Sequence, residues 1–473
     1  MRTHVDLPVS LSRDTAEPLT TQLAGWLRHA MLDGTLAPGE RLPSTRALAA
    51  QLAVSRTVVT EAYQQLYAEG WLDGRHGSGT FVAEMEATPR PPRESAYVPA
   101  PPPPPADWID LRPGQPWVRD YDRAAWKRAW RRAADLPPGD SPDPYGLPHL
   151  RELLADHLRR ARGMAVGPEN ILVTRGTGNG LDLCALALLG PGARAGVEDP
   201  GYHVARTVFA ARGAEVVPCP VDADGVIVDG LPGDLRVLYT TPAHQYPLGG
   251  RLPIPRRERL LAWAGATGAT IVEDDYDAEF RYDVAPLPAL YGLDPSRVVL
   301  LGTLSKILAP DVGVGWLVGE PGLLGRIAGL RRAVGDRTSG PVQQAVATLL
   351  ERGDIDRHLR RMRLEYARRR AAVVEILGPV CRLRGDTAGL HVLAELPAAV
   401  VPGLVERARE RGVLLDSTGR HHHGDLSLHG VVIGYGSASL PDIRRGCRTL
   451  AGLIRTARSG AAPGGAARAA SGR

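Results

Sequence analysis

Continuous apolar runs, rather than alternating ones, mark the central part of this chain. The runs 298–301 and 312–318 flank a short polar turn that contains Lys306, and similar runs cover 171–174 and 269–272. Strands that bury both faces have this appearance because neither face meets water. The pattern predicts strands of a parallel or mixed sheet, with Lys306 in the connection between two of them.

A helical pattern replaces these runs over residues 10–83. Apolar positions at helical spacing follow Pro18, Ser44 can cap a second helix, and a third helix is expected over 56–69. Two short strands with a tight tip then follow. Helix, turn, helix and β-hairpin in this order predict a separate winged helix-turn-helix domain.

Two stretches are typical of chain without a packed core. Residues 84–110 are proline-dense, with five consecutive prolines from Pro101 to Pro105, and we expect a semi-rigid polyproline linker. Residues 457–473 are rich in Ala, Gly, Ser and Arg and are expected to be a disordered tail. The second domain is therefore predicted over residues 111–456.

Composition excludes several classes of protein. The chain has 473 residues, 44% of them hydrophobic, and a formal net charge of +5. The sequence contains neither an apolar run near 18 residues nor a signal-peptide pattern, so we expect a cytoplasmic protein without a membrane partner. Four scattered cysteines suggest neither a disulfide framework nor a zinc site. The triplet at residues 421–423, three consecutive histidines, is interpreted as a polar loop, and no metal site is predicted.

Lys306 is chemically distinctive because lysine occurs only twice in the chain, at Lys127 and Lys306, whereas arginine supplies the other positive charges. Arginine stays protonated and cannot attack a carbonyl, but a desolvated lysine can. Lys306 is therefore a candidate nucleophile.

An acidic run follows the strand at 269–272, in the sequence Glu273-Asp274-Asp275-Tyr276-Asp277. Several carboxylates at the end of a buried strand are costly unless a cation meets them. A protonated pyridine nitrogen is such a cation, and pyridoxal 5′-phosphate (PLP) needs a carboxylate there to act as an electron sink.

The motifs EDDYDAEFRYD, TPAHQYPLG and GTLSKILAP resemble the aminotransferase-like half of MocR-type transcription regulators. The stretch LPSTRALAAQLAVSRTVVTEAYQQLYAEGWL, with GSGTFV after it, resembles the GntR-type DNA-binding domain. The resemblance implies an α/β fold class: a winged helix-turn-helix domain linked to a fold-type I PLP-dependent body, with a large α/β and a small α+β domain.

The resemblance also implies roles at the cofactor. Lys306 would be the Schiff-base lysine, Asp274 the partner of the pyridinium, Tyr276 a hydrogen-bonding group near the ring oxygen, and Tyr202 the residue stacked on the ring. A glycine-rich turn at a helix amino terminus is a natural phosphate cup. The residues expected to bind the phosphate are Gly176, Thr177, Thr303 and Ser305.

The expected DNA contacts are local, because residues 1–90 contain eight arginines against ten acidic residues and form no basic block. Arg56 begins the recognition helix and suits a bidentate contact with guanine. The remaining candidates are phosphate-contacting residues before that helix, threonines within it and the tip of the wing: Ser44, Arg46, Thr57, Thr60, Arg75, His76 and Gly77.

Two departures from the family pattern concern anion binding. Gly313 stands where the family has an arginine that clamps the cofactor phosphate, and Asp311 adds a negative charge nearby. The late strand 430–435 lacks the arginine that usually binds a substrate carboxylate. A bidentate arginine is among the strongest anion contacts available, so both departures bear on what the body binds.

We therefore expect a PLP-linked, one-component transcription regulator rather than an enzyme. It would bind operator DNA as a homodimer and sense an amine, an amino acid or PLP itself, acting at the bacterial nucleoid. Two alternatives stay open: a working aminotransferase with an accessory DNA-binding domain, and a regulator that no longer uses the cofactor.

Overall fold

The structure is a computed structural model that describes residues 8–75, 79–84, 105, 107–137 and 139–460. The chain divides into two compact units between residues 102 and 103. Each unit has its own hydrophobic core and is described separately.

The first unit contains three helices and a two-stranded hairpin. Ser44 and Ser55 begin the second and third helices, where each side-chain oxygen accepts a hydrogen bond from a backbone N–H in the first turn. The helices pack around buried Leu27, Leu48 and Leu66. The elements are α1 (Leu19–Leu32), α2 (Thr45–Gln51), α3 (Arg56–Ala68), β1 (Leu72–Arg75) and β2 (Gly79–Val82).

The second unit is built on an eight-stranded mixed sheet. Its strand order is β4-β11-β10-β9-β8-β5-β6-β7, and the central strands β10, β9, β8, β5 and β6 run parallel. The strands are β4 (Ile171–Thr174), β5 (Arg194–Asp199), β6 (Glu215–Asp222), β7 (Gly225–Val226), β8 (Val237–Thr240), β9 (Thr270–Asp274), β10 (Val298–Thr303) and β11 (Gly315–Val318). The predicted strand at 312–318 is shorter than expected because residues 310–312 form a 3-10 turn.

A smaller antiparallel sheet has the order β12-β13-β16-β15, and a two-stranded parallel sheet pairs β3 with β14. The strands are β3 (Ile109–Asp110), β12 (Arg382–Arg384), β13 (His391–Glu395), β14 (Val413–Leu414), β15 (Asp416–Ser417) and β16 (Gly430–Gly434). Because β3 belongs to the second unit, the predicted linker over 84–110 is wrong for residues 109–110. Residues 85–104 and 106 lie outside the described part of the chain.

Ten helices of the second unit cover the two sheets within the described residues. They are α4 (Arg123–Ala134), α5 (Pro148–Arg162), α6 (Thr177–Leu188), α7 (His203–Ala211), α8 (Ile254–Thr267), α9 (Pro321–Ala333), α10 (Gly340–Glu351), α11 (Asp354–Leu377), α12 (Val401–Glu410) and α13 (Leu440–Gly460). Among the helices that the structure describes, none is long and apolar enough to cross a membrane.

Helix α13 corrects the predicted tail. The apolar stripe of Ile443, Cys447, Leu450 and Ile454 is buried, and α13 packs against α11. The helix continues to Gly460, so the expectation of disorder from residue 457 is wrong for residues 457–460. The remaining part, 461–473, lies outside the described residues.

A buried ion pair joins α5 to the loop after β9. The guanidinium of Arg162 donates to the carboxylate of Asp275 and to the carbonyl of Leu287. The two charged side chains are 1% and 4% exposed. Removal of one partner leaves an uncompensated buried charge, which is much more costly than the loss of a surface pair.

We expect Arg162→Leu to lower the free energy of unfolding by about 3–5 kcal/mol. Arg159→Leu, on the same helix, removes a pair whose partners are 56% and 46% exposed and should cost less than about 1 kcal/mol. Urea unfolding monitored by circular dichroism measures both changes. Equal effects of the two substitutions would contradict the structural role of the buried pair.

Candidate functional site

A cavity of about 340 Å³ lies where the central parallel strands end. Parallel strands that end together place the residues of their following turns at one edge of the sheet, the usual ligand position in such folds. The walls come from both sheets and from the segment after β3. The lining residues are Pro113, Gly114, Gln115, Arg175, Gly176, Thr177, Gly178, Tyr202, His203, Tyr239, Thr241, Tyr246, Asp274, Tyr276, Thr303, Ser305, Lys306, Pro310, Leu390, His391 and Arg420. All eight residues predicted to surround the cofactor are among them.

Lys306 enters the cavity from the turn after β10. Its Nζ donates a hydrogen bond of 2.6 Å to the carbonyl oxygen of Gly114. Burial lowers the pKa of the Lys306 amine, while Asp277 and Asp274 act in the opposite direction. A lower pKa increases the fraction of neutral amine, which is the form that attacks a carbonyl.

Asp274 ends β9 and has one satisfied and one unsatisfied oxygen. The hydroxyl of Tyr239 donates to its Oδ2 at 2.8 Å, whereas its Oδ1 is buried and has no hydrogen-bond partner among the described residues. Burial raises the pKa of the Asp274 carboxyl to about 7. An unpaired, buried carboxylate oxygen in a cavity is suited to receive a donor from a ligand.

Tyr276 is held by a neighbouring pair of residues. Its hydroxyl lies 3.1 Å from His244 Nδ1, which is also 3.0 Å from Asp277 Oδ2. His244 and Asp277 are buried and Tyr276 is partly buried, and these hydrogen bonds restrict the orientation of the phenol. His244, Asp277 and His391 bring potential metal-ligand atoms within 4.8 Å of one another, a grouping that their spacing in the sequence did not indicate.

The expected phosphate cup lies at the amino terminus of α6. Gly176 has φ +101°, and an added Cβ there would come within 3.6 Å of the hydroxyls of both Thr303 and Ser305. Those two hydroxyls lie 3.0 Å apart. The Thr177 hydroxyl is buried without a partner among the described residues. Three hydroxyls and a helix amino terminus thus face one small space, which suits an anion.

Gly313 lies between the 3-10 turn at 310–312 and strand β11. It has φ +58°, and an added Cβ would have only the Asp311 carbonyl within 4 Å, at 3.9 Å. Gly315, two residues later, packs closely on Gly176: a Cβ added to Gly315 would lie 2.8 Å from the Cα of Gly176. Gly313 is not among the residues that line the cavity, and apart from its chain neighbours no side chain lies within 4 Å of the place that its Cβ would take.

Arg420, which sequence reasoning missed, reaches the cavity from the 3-10 turn Thr418–His421. The turn is anchored because Gly201 donates to the His421 carbonyl at 2.8 Å and the His423 N–H donates to Asp199 at 2.9 Å. The segment 421–423, predicted to be a polar loop, lies at the end of this turn and in the irregular chain after it, and His421 and His422 are buried there, at 1% and 7% exposure. No local pattern indicated Arg420, because its approach to the cavity depends on how the two sheets pack.

Arg175 and Tyr239 were also missed, although each lies at the end of a predicted strand. Arg175 directly precedes the glycine of the cup, and Tyr239 is the last residue but one of β8. In both cases the position at a strand end was a usable signal.

These residues fit PLP. The unpaired Oδ1 of Asp274 can receive the N–H of the pyridinium, Lys306 can bond to the aldehyde carbon, and Tyr202 lies beside them in the cavity wall. The cup at Gly176 and Thr177 can receive the phosphate. The observation that decides the fit is the Asp274 oxygen, which is otherwise a costly buried group.

The predicted DNA-contacting residues lie in the first unit. Arg46 is in the first turn of α2, after the cap Ser44, while Arg56 and Thr57 form the first turn of α3, and these side chains are exposed or partly exposed. The Thr60 hydroxyl donates to the Arg56 carbonyl at 2.8 Å. Arg75 ends β1, but its side chain, His76 and Gly77 lie outside the described residues.

The fold and the cavity define a class: a helix-turn-helix unit followed by an aminotransferase-like body. The model for bacterial regulatory proteins of the gntR family matches residues 19–82, and the model for class I and II aminotransferases matches residues 107–418. Among solved structures, LysN, an α-aminoadipate aminotransferase of Thermus thermophilus, has a TM-score of 0.68 and 26% identity over 74% of this chain and 93% of its own. That structure contains N-(5′-phosphopyridoxyl)-L-leucine.

Curated relatives share both parts. The pyridoxine biosynthesis transcriptional regulator PdxR of Corynebacterium glutamicum is 39% identical over 91% of this chain and 95% of its own length. The probable rhizopine catabolism regulatory protein MocR of Rhizobium meliloti is 33% identical over 96% of this chain and 97% of its own. The chain belongs to the MocR-type family of helix-turn-helix transcription regulators, which confirms the predicted family, fold class and general function.

We expect the stability of the cofactor-free protein to fall as pH rises from about 4 to about 7. In that range the folded state retains the Asp274 proton, whose pKa is about 7, whereas the unfolded carboxyl, with pKa near 3.9, has lost it. Asp274→Asn should therefore raise the melting temperature at pH 8 and change it less at pH 4. Asp229→Asn, at a carboxyl that is 77% exposed, is the control. A lower melting temperature of Asp274→Asn at pH 8 would refute the expectation.

Proposed function

We propose that this regulator holds PLP on Lys306 and changes the DNA binding of its helix-turn-helix unit when an amine, an amino acid or PLP itself reaches the cavity. The single observation that carries the proposal is the unpaired, buried Oδ1 of Asp274 in the same cavity as a lysine with a lowered pKa. A regulator without a pyridine-type ligand would have no use for this arrangement. The buried surroundings of the carboxylate make its lack of a partner costly.

When bound, PLP supplies an electrophilic carbonyl and an electron sink. Lys306 would act as the nucleophile, and its lowered pKa increases the fraction of neutral amine. Asp274 would accept the ring N–H and keep that proton on the ring nitrogen, while Tyr239 orients the carboxylate. His244 and Asp277 orient Tyr276, whose hydroxyl would hydrogen-bond near the ring oxygen, and the buried walls would exclude water from the reacting amine.

An effector other than PLP itself would offer an amine to the bound cofactor, and Arg420 would add a preference for an anionic group. Arg420 lines the cavity while its guanidinium pairs with Asp416 at 2.5 Å. It is the cation that the late strand 430–435 does not supply. An amino acid carries both groups, so amino acids are the first class of effector to test.

A structural response to the ligand is built around the Lys306 amine. The amine donates a hydrogen bond to the carbonyl of Gly114. Formation of a covalent bond between the Lys306 nitrogen and the cofactor would disrupt this hydrogen bond. The segment 109–117 is otherwise held by the β3–β14 pairing and by the Trp117 N–H, which donates to the Tyr366 hydroxyl at 2.7 Å. This segment follows the linker in the chain, so a change in its position would be the first step of signalling. A sensor needs only different affinities for two conformations.

In the DNA-binding unit, Arg56 would read a guanine in the major groove, with Thr57 and Thr60 beside it. Ser44 and Arg46 would contact phosphate, and Arg75, His76 and Gly77 would approach the minor groove. A homodimer would place two such units on repeated or palindromic half-sites. Such a regulator would act in the cytoplasm, on bacterial DNA.

Transamination is a second candidate function, favoured by the presence of Arg420 in a cavity that also contains Lys306 and Asp274. Formation of an oxo acid from added amino acids with purified protein and PLP would support it. The names of the relatives favour regulation, so we propose that turnover is absent or slow.

We expect purified protein with PLP to show a visible absorption band that Lys306→Ala abolishes, because Lys306 is the lysine amine that lines the cavity and can bond covalently to the aldehyde. Lys127→Ala, the substitution of the only other lysine, should leave the band unchanged. Absorption spectra of the three proteins measure this. Persistence of the band in Lys306→Ala would show that PLP reacts elsewhere, and absence of any band would favour the regulator without a cofactor.

Two arginines of the DNA-binding unit should have different effects on DNA affinity. Operator sequences can be selected from random DNA with the full-length protein. Arg56→Ala should weaken the free energy of operator binding by about 1–3 kcal/mol and relax the sequence preference at one base pair. Arg46→Ala should weaken binding to all DNA sequences by a similar factor. It should also reduce the slope of log affinity against log salt concentration by roughly 0.9. Fluorescence anisotropy at several salt concentrations distinguishes them, and identical profiles would refute the assigned roles.

A further inference from the structure

The phosphate cup is built without a cation at residue 313. Its hydroxyl groups and helix amino terminus supply neutral donors, but a PLP phosphate carries close to two negative charges. Neutral donors can bond to the phosphate oxygens, but unlike a bidentate guanidinium they do not neutralise the charge. If the body binds PLP, a cation from another part of the cavity wall has to compensate for Gly313.

Arg175 is the cationic residue nearest to the cup along the chain and lines the same cavity. It directly precedes Gly176, and its backbone N–H donates to Asn179 at 3.0 Å, which fixes the turn. The side chain of Arg175 is 56% exposed and its guanidinium pairs with Asp336, whose side chain is 12% exposed. Because the guanidinium meets solvent, its attraction to Asp336 is partly screened, and the guanidinium can exchange partners provided that Asp336 keeps another cation.

Asp336 does not depend on Arg175. The Nε of buried Arg331 also donates to Asp336, at 2.9 Å, and the side chain of Arg331 is only 1% exposed. Arg331 is further fixed by the carbonyls of Pro144 and Val173. When Arg175 leaves, Asp336 therefore keeps an arginine partner and no buried carboxylate is left uncompensated.

We propose that Arg175 binds the cofactor phosphate in this chain and replaces the arginine that the family has at the position of Gly313. This inference rests on the proposed function, since it presupposes that PLP occupies the cavity. Arg175 makes the cavity selective for the phosphorylated form of the cofactor. Because Arg175 is half exposed, the contact is screened by salt, which suits a cofactor that exchanges with the cellular pool.

The test compares PLP with pyridoxal, which carries the same aldehyde and ring but no phosphate. Dissociation constants are measured by equilibrium dialysis for the full-length protein, and inorganic phosphate is added as a competitor. Arg175→Ala should weaken PLP binding by about 10- to 100-fold, the loss of one charge-assisted hydrogen-bonding group. Pyridoxal binding should change less than about twofold, and Arg175→Lys should fall between wild type and Arg175→Ala.

Arg194→Ala is the matched control. Arg194 is a partly exposed arginine that pairs with Glu215 and Asp234 at the start of β5, and its removal should leave both dissociation constants unchanged. Phosphate should compete with PLP less effectively in Arg175→Ala than in wild type.

Three outcomes would overturn the inference. Unchanged dissociation constants for both compounds in Arg175→Ala would show that Arg175 does not bind the phosphate. Equal weakening of PLP and pyridoxal would show a structural role instead. Both results leave the proposed function standing if binding still requires Lys306. Failure of wild type to bind either compound in a Lys306-dependent manner would overturn the proposed function together with this inference.

Discussion

The buried carboxylate of Asp274 is the constraint on which the site depends. One of its oxygens accepts from Tyr239, and the other has no partner among the described residues. An ionised carboxylate in this position costs free energy until a cation or a donor meets it, and burial accordingly raises its pKa to about 7. Ligand binding and the stability of the body are therefore linked through one side chain.

The rest of the acidic run shows how such charges are tolerated. Glu273 accepts the N–H groups of Leu290 and Tyr291, each at 2.8 Å. Asp275 pairs with Arg162, and Asp277 with His244. Consecutive side chains leave the strand end in different directions, so each finds a separate partner. Asp274 differs from Asp275 and Asp277 because it lines the cavity and has no ion-pair partner within the described part of the chain. It differs from Glu273 because only one of its two oxygens accepts a hydrogen bond. This difference distinguishes a ligand-binding group from groups that hold the fold together.

A regulator and an enzyme can share this site because both need the same lysine, carboxylate and aromatic neighbours. Regulation requires in addition that occupancy changes a second part of the molecule. The contact between Lys306 and the Gly114 carbonyl joins the reactive amine to the segment after the linker. An exposed, exchangeable cation at the phosphate cup would further favour reversible occupancy over tight retention. Both features are more useful to a sensor than to a catalyst.

The sequence by itself determined the helices of the first unit, the buried strands, Lys306, Asp274 and the glycine cup, because these signals are local: apolar spacing, caps, and functional residues directly after strands. It also indicated the family. Only the tertiary structure decided that Arg420, His391 and the segment at Gly114 border the same cavity, and that α13 continues to Gly460. Those residues are distant in the chain, and their meeting depends on how two sheets and the helix α13 pack, which no local pattern encodes.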